Sequence, residues 1–352
     1  MNNRKTKKID EYRLQHNTFF EETFMIPELG IAFLKKMLPR KLLKQIEVEK
    51  LTVEKTKFRD KLFRETRPDV VYKVPILGAR KHVSFHIIVE HKSSDDHSAI
   101  YQIWQYVGQL CIQDVNKRLT DPKTKKHRTW PKDFRLSPII PIILHHGDKP
   151  FTGETQLVNL FYPLPGAVEF LPHLQAILVD LSAMEEGKLP RDPNAPELFV
   201  VLLIMKVVFS KNKTNLKRKF RTILNELNPY SQIPKYRELI RKLWYYVAYN
   251  AKKLTEAEAE EIEAEVRQTI GDDNMPTLAQ IYIEKGKAEG KIEGKIEDRI
   301  ESILTTLETR FGEVPQATHD AVAQISDLAA LRQLTILAAK CKSLAEFTKA
   351  VR

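Results

Sequence analysis

The stretch FHIIVEHKSS, residues 85–94, reads as a buried β-strand that ends in charge. Side chains on a strand alternate between faces, so Phe85, Ile87 and Val89 share one face while His86, Ile88 and Glu90 share the other. Lys92 falls on the same face as Glu90. The run PDVVYKVPI, residues 68–76, has the same character. A hairpin centred between Ala79 and Arg80 sets Val70 opposite Val89, Tyr72 opposite Ile87, Val74 opposite Phe85 and Ile76 opposite Val83. That face is apolar throughout, as a core face should be. On the other face Asp69 opposes Glu90, Val71 opposes Ile88 and Lys73 opposes His86.

Directly opposed side chains have Cβ atoms about 4.5–5.5 Å apart, and like charges there destabilise a sheet. A divalent cation would remove the repulsion. Mg²⁺ prefers oxygen ligands and commonly uses one or two carboxylates with phosphate and water. Lys92 beside the acids could orient or deprotonate an attacking water, or offset charge on a phosphate. Asp69, Glu90 and Lys92 thus make a candidate site for phosphodiester hydrolysis. A salt bridge at a sheet edge is the competing reading of the same three residues.

The chain has 352 residues, 42% of them hydrophobic, enough for a sizeable core. Cys111 and Cys341 are the two cysteines, and neither metal-ligand spacing nor a disulfide framework is present. No zinc-type Cys/His cluster, P-loop or dinucleotide fingerprint appears. The N-terminal segment lacks the apolar core of a signal peptide. The longest apolar run, LFVVLLIMKVVF at 198–209, is too short to span a bilayer and contains Lys206, so a buried helix and a soluble cytoplasmic protein are expected. The formal net charge is +11, and nucleic acid is the commonest acidic partner of such a chain. Basic residues concentrate at 116–135 and 211–221, both expected to bind DNA backbone, while 255–268 is strongly acidic. Solvated surface is the alternative for each.

Helical spacing marks residues 16–38, with Pro27 as a break or second start. Strands are expected at 68–76, 83–90, 137–144 and 173–181, with a helix over 98–119. Nearly everything after residue 196 reads helical. The order implies a mixed α/β block followed by an α-only block: residues 10–180, a helical region at 190–275, then 276–352. This last part begins with the repeat KAEGKIEGKIE, whose glycines suggest an exposed, frayable linker helix. A compact helical tail follows, and it could support a homodimer.

In SAIYQIWQYVGQLCIQ, residues 98–113, Ile100, Ile103, Trp104, Val107 and Cys111 are expected to face the core. Gln102, Gln105, Tyr106, Gln109 and Gln113 would line the other side. Taken in order, RPDVVYKV, IIVEHKSS and YQIWQY resemble the motifs of the PD-(D/E)XK nuclease superfamily. With HNTFFEETFMIPELGIAFLKKMLP, IIPIILHHGDKPF and the KAEGKIEGKIE run, the chain resembles the recombination-promoting nucleases, also called YhgA-like transposases. The resemblance implies a PD-(D/E)XK restriction-endonuclease-like α/β core, a mixed sheet flanked by helices, with a helical C-terminal region. It also implies a metal-dependent DNA endonuclease associated with recombination or mobile elements. On that basis Asp69 and Glu90 hold Mg²⁺, with Mn²⁺ or Ca²⁺ as alternatives, and Lys92 stands where many members carry Gln. Gln102 would orient substrate, and Tyr106, Lys73, Lys125, Lys126 and Arg128 would contact DNA. A DNA-binding or interaction protein with a vestigial site is the alternative.

The first block departs from the family pattern: Asn17 and Glu21 stand where Asp and Lys are usual. Glu21 or Glu22 could join the metal site. Of the neighbouring histidines, His145 and His146 should point to opposite faces, so only His146 with Asp148 could share a metal. His86 is expected to project toward the acids and His91 away from them.

Overall fold

The computed structural model describes residues 17–54, 58–59, 65–66, 68–78, 84–93, 95–121, 123–124, 126, 128–164, 166–208, 213–250, 254–272, 275, 277–325 and 327–351. The chain divides into two compact units, one of residues 13–275 and one built from 276–352.

The larger unit is organised by a five-stranded sheet. Its strands, in chain order and in spatial order, are β1 (Thr52–Glu54), β2 (Val70–Pro75), β3 (Ser84–Lys92), β4 (Ile139–His145) and β5 (Ile177–Asp180). β1, β2 and β3 run antiparallel, whereas β3, β4 and β5 are parallel. The parallel step needs a long crossover, and α3 (Ala99–Leu119) supplies it. The expected hairpin register holds: Val70 pairs with Val89, Tyr72 with Ile87 and Val74 with Phe85. The expected Ile76–Val83 pair and the Ala79–Arg80 turn lie outside the described residues. The fold is the mixed α/β architecture expected for a PD-(D/E)XK-like core with a helical C-terminal region.

Both faces of the sheet are covered. On the face of Tyr72 and Ile87 lie α1 (17–24) and α2 (Pro27–Met37), with Pro27 opening the second helix as its position suggests. The Tyr72 hydroxyl donates to the Phe24 carbonyl at 2.6 Å. Gly30 lets α2 approach: a Cβ there would lie 2.8 Å from the Tyr72 ring. The apolar run at 198–209 becomes α4 (Pro196–Val207), buried almost all round. Lys206 sends its ammonium to the carbonyls of Leu181 and Ser182. Among the described residues no helix is long and apolar enough to cross a membrane.

Residues 196–270, read from sequence as a region apart, complete the same compact unit as the sheet. Helices α5 (Lys213–Leu227) and α6 (Pro234–Asn250) pack with α4, and α7 (Glu256–Ile270) packs on α5 and α6. Phe19 of α1 stacks on Tyr246 of α6 with ring centroids 4.0 Å apart. Within the 211–221 segment, Lys217 pairs with Glu261, Lys219 with Glu186, and Arg221 with Glu265. Two of these partners lie on acidic α7. These three cations are paired within the fold, while Arg218 of the same segment is exposed.

The smaller unit holds α8 (Leu278–Phe311), α9 (Gln316–Ala323), α10 (Leu328–Lys340) and α11 (Leu344–Val351). The glycine-punctuated repeat, residues 287–297, is the middle of α8, which continues without a break into the packed tail. Ile303, Leu307, Val322, Leu331 and Phe347 form its core. A capping box at Thr277 and Gln280 starts the long helix.

Candidate active site

The face of the sheet under α3 carries the acids. Val71 and Ile88 pack on Tyr106 and Leu110, while Ile143 packs on Ala99, Ile100 and Ile103. The helix orientation differs from the sequence reading in two positions. Trp104, expected in the core, is 39% exposed, and Tyr106, expected on the polar side and in contact with DNA, is buried. Ala99, Ile103, Tyr106 and Leu110, spaced four, three and four residues apart, form the buried row of the helix. Burial, then the charges of Glu90, Asp69 and Asp96, push the Tyr106 phenol above its ordinary range, so it keeps its proton beside the acids.

Glu90 and Lys92 meet as predicted. The Lys92 ammonium donates to Glu90 Oε1 at 3.1 Å and to Gln102 Oε1 at 2.6 Å, and lies 3.0 Å from Asp96 Oδ2. Gln102 in turn donates to Ser98 Oγ at 3.1 Å, and that hydroxyl donates to Asp96 at 2.7 Å. Asp69 sits just before β2 and accepts the His91 backbone N–H at 2.8 Å. The sequence reading missed Asp96 and Ser98. The available signal was local: Asp-x-Ser immediately before a helix forms a side-chain turn, and the fourth position after Lys92 then brings a carboxylate back to the ammonium.

The electrostatics are unusual for a structural salt bridge. Burial, then the neighbouring Glu90 charge, raises the Asp69 carboxyl well above the ordinary carboxylate range, and Glu21 adds to the push. Burial likewise raises Glu90, against the pull of Lys92. Burial would lower the Lys92 ammonium, but Glu90 and Asp96 overcome it and hold it above its ordinary value. Asp96, although half-buried, is kept low by Ser98 and Lys92. The result is two buried carboxyl groups that resist ionisation, served by one ammonium.

That donor set fits a divalent cation. Glu90 Oε2 is buried with no hydrogen-bond partner among the described residues, and buried carboxylate oxygens are otherwise costly to leave unmatched. Hard cations of the Mg²⁺ class need few protein carboxylates. Of the two first-helix glutamates, Glu22 is exposed and pairs with Lys242 at 3.3 Å. Glu21 is the one whose charge Asp69 feels.

The other sequence candidates separate cleanly. His146 is turned to the far face, where its Nε2 meets His91 Nε2 and its Nδ1 donates to the Met205 carbonyl at 3.1 Å. It is therefore not available to share a metal with exposed Asp148. His145 opposes Lys92 across the β3–β4 ladder and reaches the Lys149 carbonyl at 2.9 Å. Lys73 and His86 lie farther along the acid face, 3.6 and 3.5 Å from Glu54 of β1. Lys126 and Arg128 are exposed beyond the C-terminal end of α3, with Arg128 3.5 Å from Asp121. Lys125 lies outside the described residues.

Comparison with known proteins gives two matches. The family model described as "Putative transposase, YhgA-like" matches residues 14–233. The Recombination-promoting nuclease RpnD of Escherichia coli O157:H7 is 21% identical over 254 residues, covering 64% of this chain and 90% of that protein. No solved structure matches.

Proposed function

The chain belongs to the YhgA-like transposase family, and from that premise we propose that it is a metal-dependent endonuclease that hydrolyses DNA phosphodiester bonds in recombination. The observation that carries the reading is the buried Asp69–Glu90 pair, raised toward the protonated state and served by a fixed lysine. The printed name of RpnD points to the same chemistry.

Asp69 and Glu90 would hold Mg²⁺, or Mn²⁺ or Ca²⁺ in its place, with water and phosphate as the remaining ligands. A bound dication would lower the pKa of water and neutralise charge on the phosphate. Lys92 is an ammonium under these neighbours, so it donates to the phosphate or the attacking water rather than taking a proton. Gln102 holds that ammonium through its Oε1 and fixes its direction. The His91 backbone N–H holds Asp69 in place.

A second reading, a DNA-binding protein without chemistry, draws on one observation. Among the described residues no group of three or more His, Cys, Asp or Glu is placed to hold a metal. Nicking of supercoiled plasmid in Mg²⁺ decides between them. The nuclease reading expects metal-dependent nicking that Asp69→Ala and Lys92→Ala each reduce by about 10²–10³-fold. Wild-type protein that binds DNA but never nicks it would establish the second reading.

A further inference from the structure

The segment RTWPKDFR, residues 128–135, lies past the end of α3 and presents a large aromatic ring to solvent. Trp130 is 59% exposed. It is held, not loose. Phe134 meets it edge to face at 4.8 Å between ring centroids, and the Arg118 guanidinium lies 4.2 Å from the Phe134 centroid. Arg118 also binds Asp114 at 2.9 Å and the Arg135 carbonyl at 2.7 Å. The Arg128 N–H reaches the Leu119 carbonyl at 2.8 Å, which ties the loop to the helix end. The loop is therefore built around the ring.

Its surroundings are cationic. Lys123, Lys126, Arg128, Lys132 and Arg135 of the segment after α3 are all exposed. Arg128 lies 3.5 Å from Asp121 and Arg135 donates to the Lys132 and Phe134 carbonyls, whereas in the other basic segment Lys217, Lys219 and Arg221 all pair with glutamates. An exposed aromatic among unburied cations is the composition of a single-strand stacking platform: the cations track phosphates and the ring takes a base. An apolar protein partner would not call for this charge.

A polar stripe leads to the platform. Gln102, Gln105, Gln109, Gln113 and Lys117 follow one another at spacings of three and four along α3, all exposed or half-buried. From Gln102, beside Lys92, to Lys117 the helix rises about 22 Å. That is the length of roughly six to seven base pairs of duplex at 3.4 Å per step.

We propose that Trp130 stacks on an unpaired base of a DNA strand lying along α3, so that the enzyme prefers substrates with a single-stranded stretch to one side of the scissile phosphate. The placement of the cut rests on the nuclease reading above; the platform itself does not.

The test is fluorescence anisotropy of the full-length protein, in chelator to prevent cleavage, with a labelled 20-mer as single strand and as duplex. Trp130→Ala is expected to weaken single-strand binding about tenfold, to leave duplex binding within about twofold, and to keep the wild-type melting curve. Trp130→Phe should restore most of the loss. A 2-aminopurine scanned along the strand should be quenched by wild type and not by Trp130→Ala. Equal single-strand affinity of wild type and Trp130→Ala would overturn the proposal. So would an equal loss on single strand and duplex, which would make the loop a general cationic surface. A change of oligomeric state in Trp130→Ala with strand binding intact would identify a protein contact instead. Plasmid nicking by Asp69→Ala and Lys92→Ala judges the chemistry separately.

Discussion

The two faces of β3 bury polar groups to the same depth and treat them differently. On the side of α1 and α4, His91 and His146 are fully enclosed and meet each other, and their remaining ring nitrogens meet Asn17 and the Met205 carbonyl. Under α3, three buried atoms have no partner among the described residues: Glu90 Oε2, His86 Nδ1 and His145 Nδ1. Buried polar groups in folded proteins are nearly always matched. Unmatched atoms are not confined to that face, since Thr23 Oγ1 of α1 is another; what sets the α3 face apart is that its unmatched Glu90 oxygen belongs to a buried carboxyl beside a second acid.

The comparison breaks most sharply by mutating one residue from each face. Glu90→Gln keeps the shape and removes the charge, so plasmid nicking should fall by about 10²–10³-fold while the melting temperature in chelator holds or rises. His146→Ala should do the reverse. It opens a cavity and leaves His91 short of a partner, at a cost of about 2–4 kcal/mol, with nicking per folded molecule retained. A Glu90→Gln protein that nicks normally would remove the acid face from the chemistry.

Gly30→Ala tests the structural face without touching a polar group. The new methyl meets the Tyr72 ring, and overpacking of this kind costs about 1–3 kcal/mol. Urea titration should show a lower midpoint with an unchanged slope. An unaltered midpoint would mean that α2 and β2 are not in the close contact described.

The smallest expected effect is also the most diagnostic of the acid face. Asp69 has its folded-state pKa raised, so its favourable contribution is full below the unfolded value near 4 and is lost as pH rises through the folded value. Asp69→Asn has no proton to lose. In chelator its melting temperature should match wild type near pH 4 and exceed it increasingly toward pH 8. The gap should be about 2–4 °C for each kcal/mol in a unit of this size. A gap that shrinks with pH would contradict the raised value.

Much of this was legible in the residues. Period 2 in VVYKV and FHIIVE was enough to pair Tyr72 with Ile87 and Lys73 with His86, because one slipped residue would have turned every apolar side chain outward. The same alternation placed His91 opposite to Glu90. The helix was harder. Its residues offer apolar side chains around most of the circumference, so Trp104 and Tyr106 could each be assigned to the core, and the packing on Val71 and Ile88 made the choice. The 211–221 cations could not be judged from composition either, since their partners lie 44 residues away on α7 for Lys217 and Arg221.

What the sequence by itself determined is local and periodic: the strand register, the face on which each acid falls, and the start of α2 at Pro27. These follow from backbone geometry that repeats every two or 3.6 residues. Only the tertiary structure decided which charges are neutralised and which are left unmatched. It brought Asp96 and Gln102 to Lys92, locked His146 to His91, and paired Lys217, Lys219 and Arg221 with glutamates while leaving the cations of the Trp130 segment exposed. Charge compensation depends on distance through space and on burial, and neither is written in the spacing of residues along a chain.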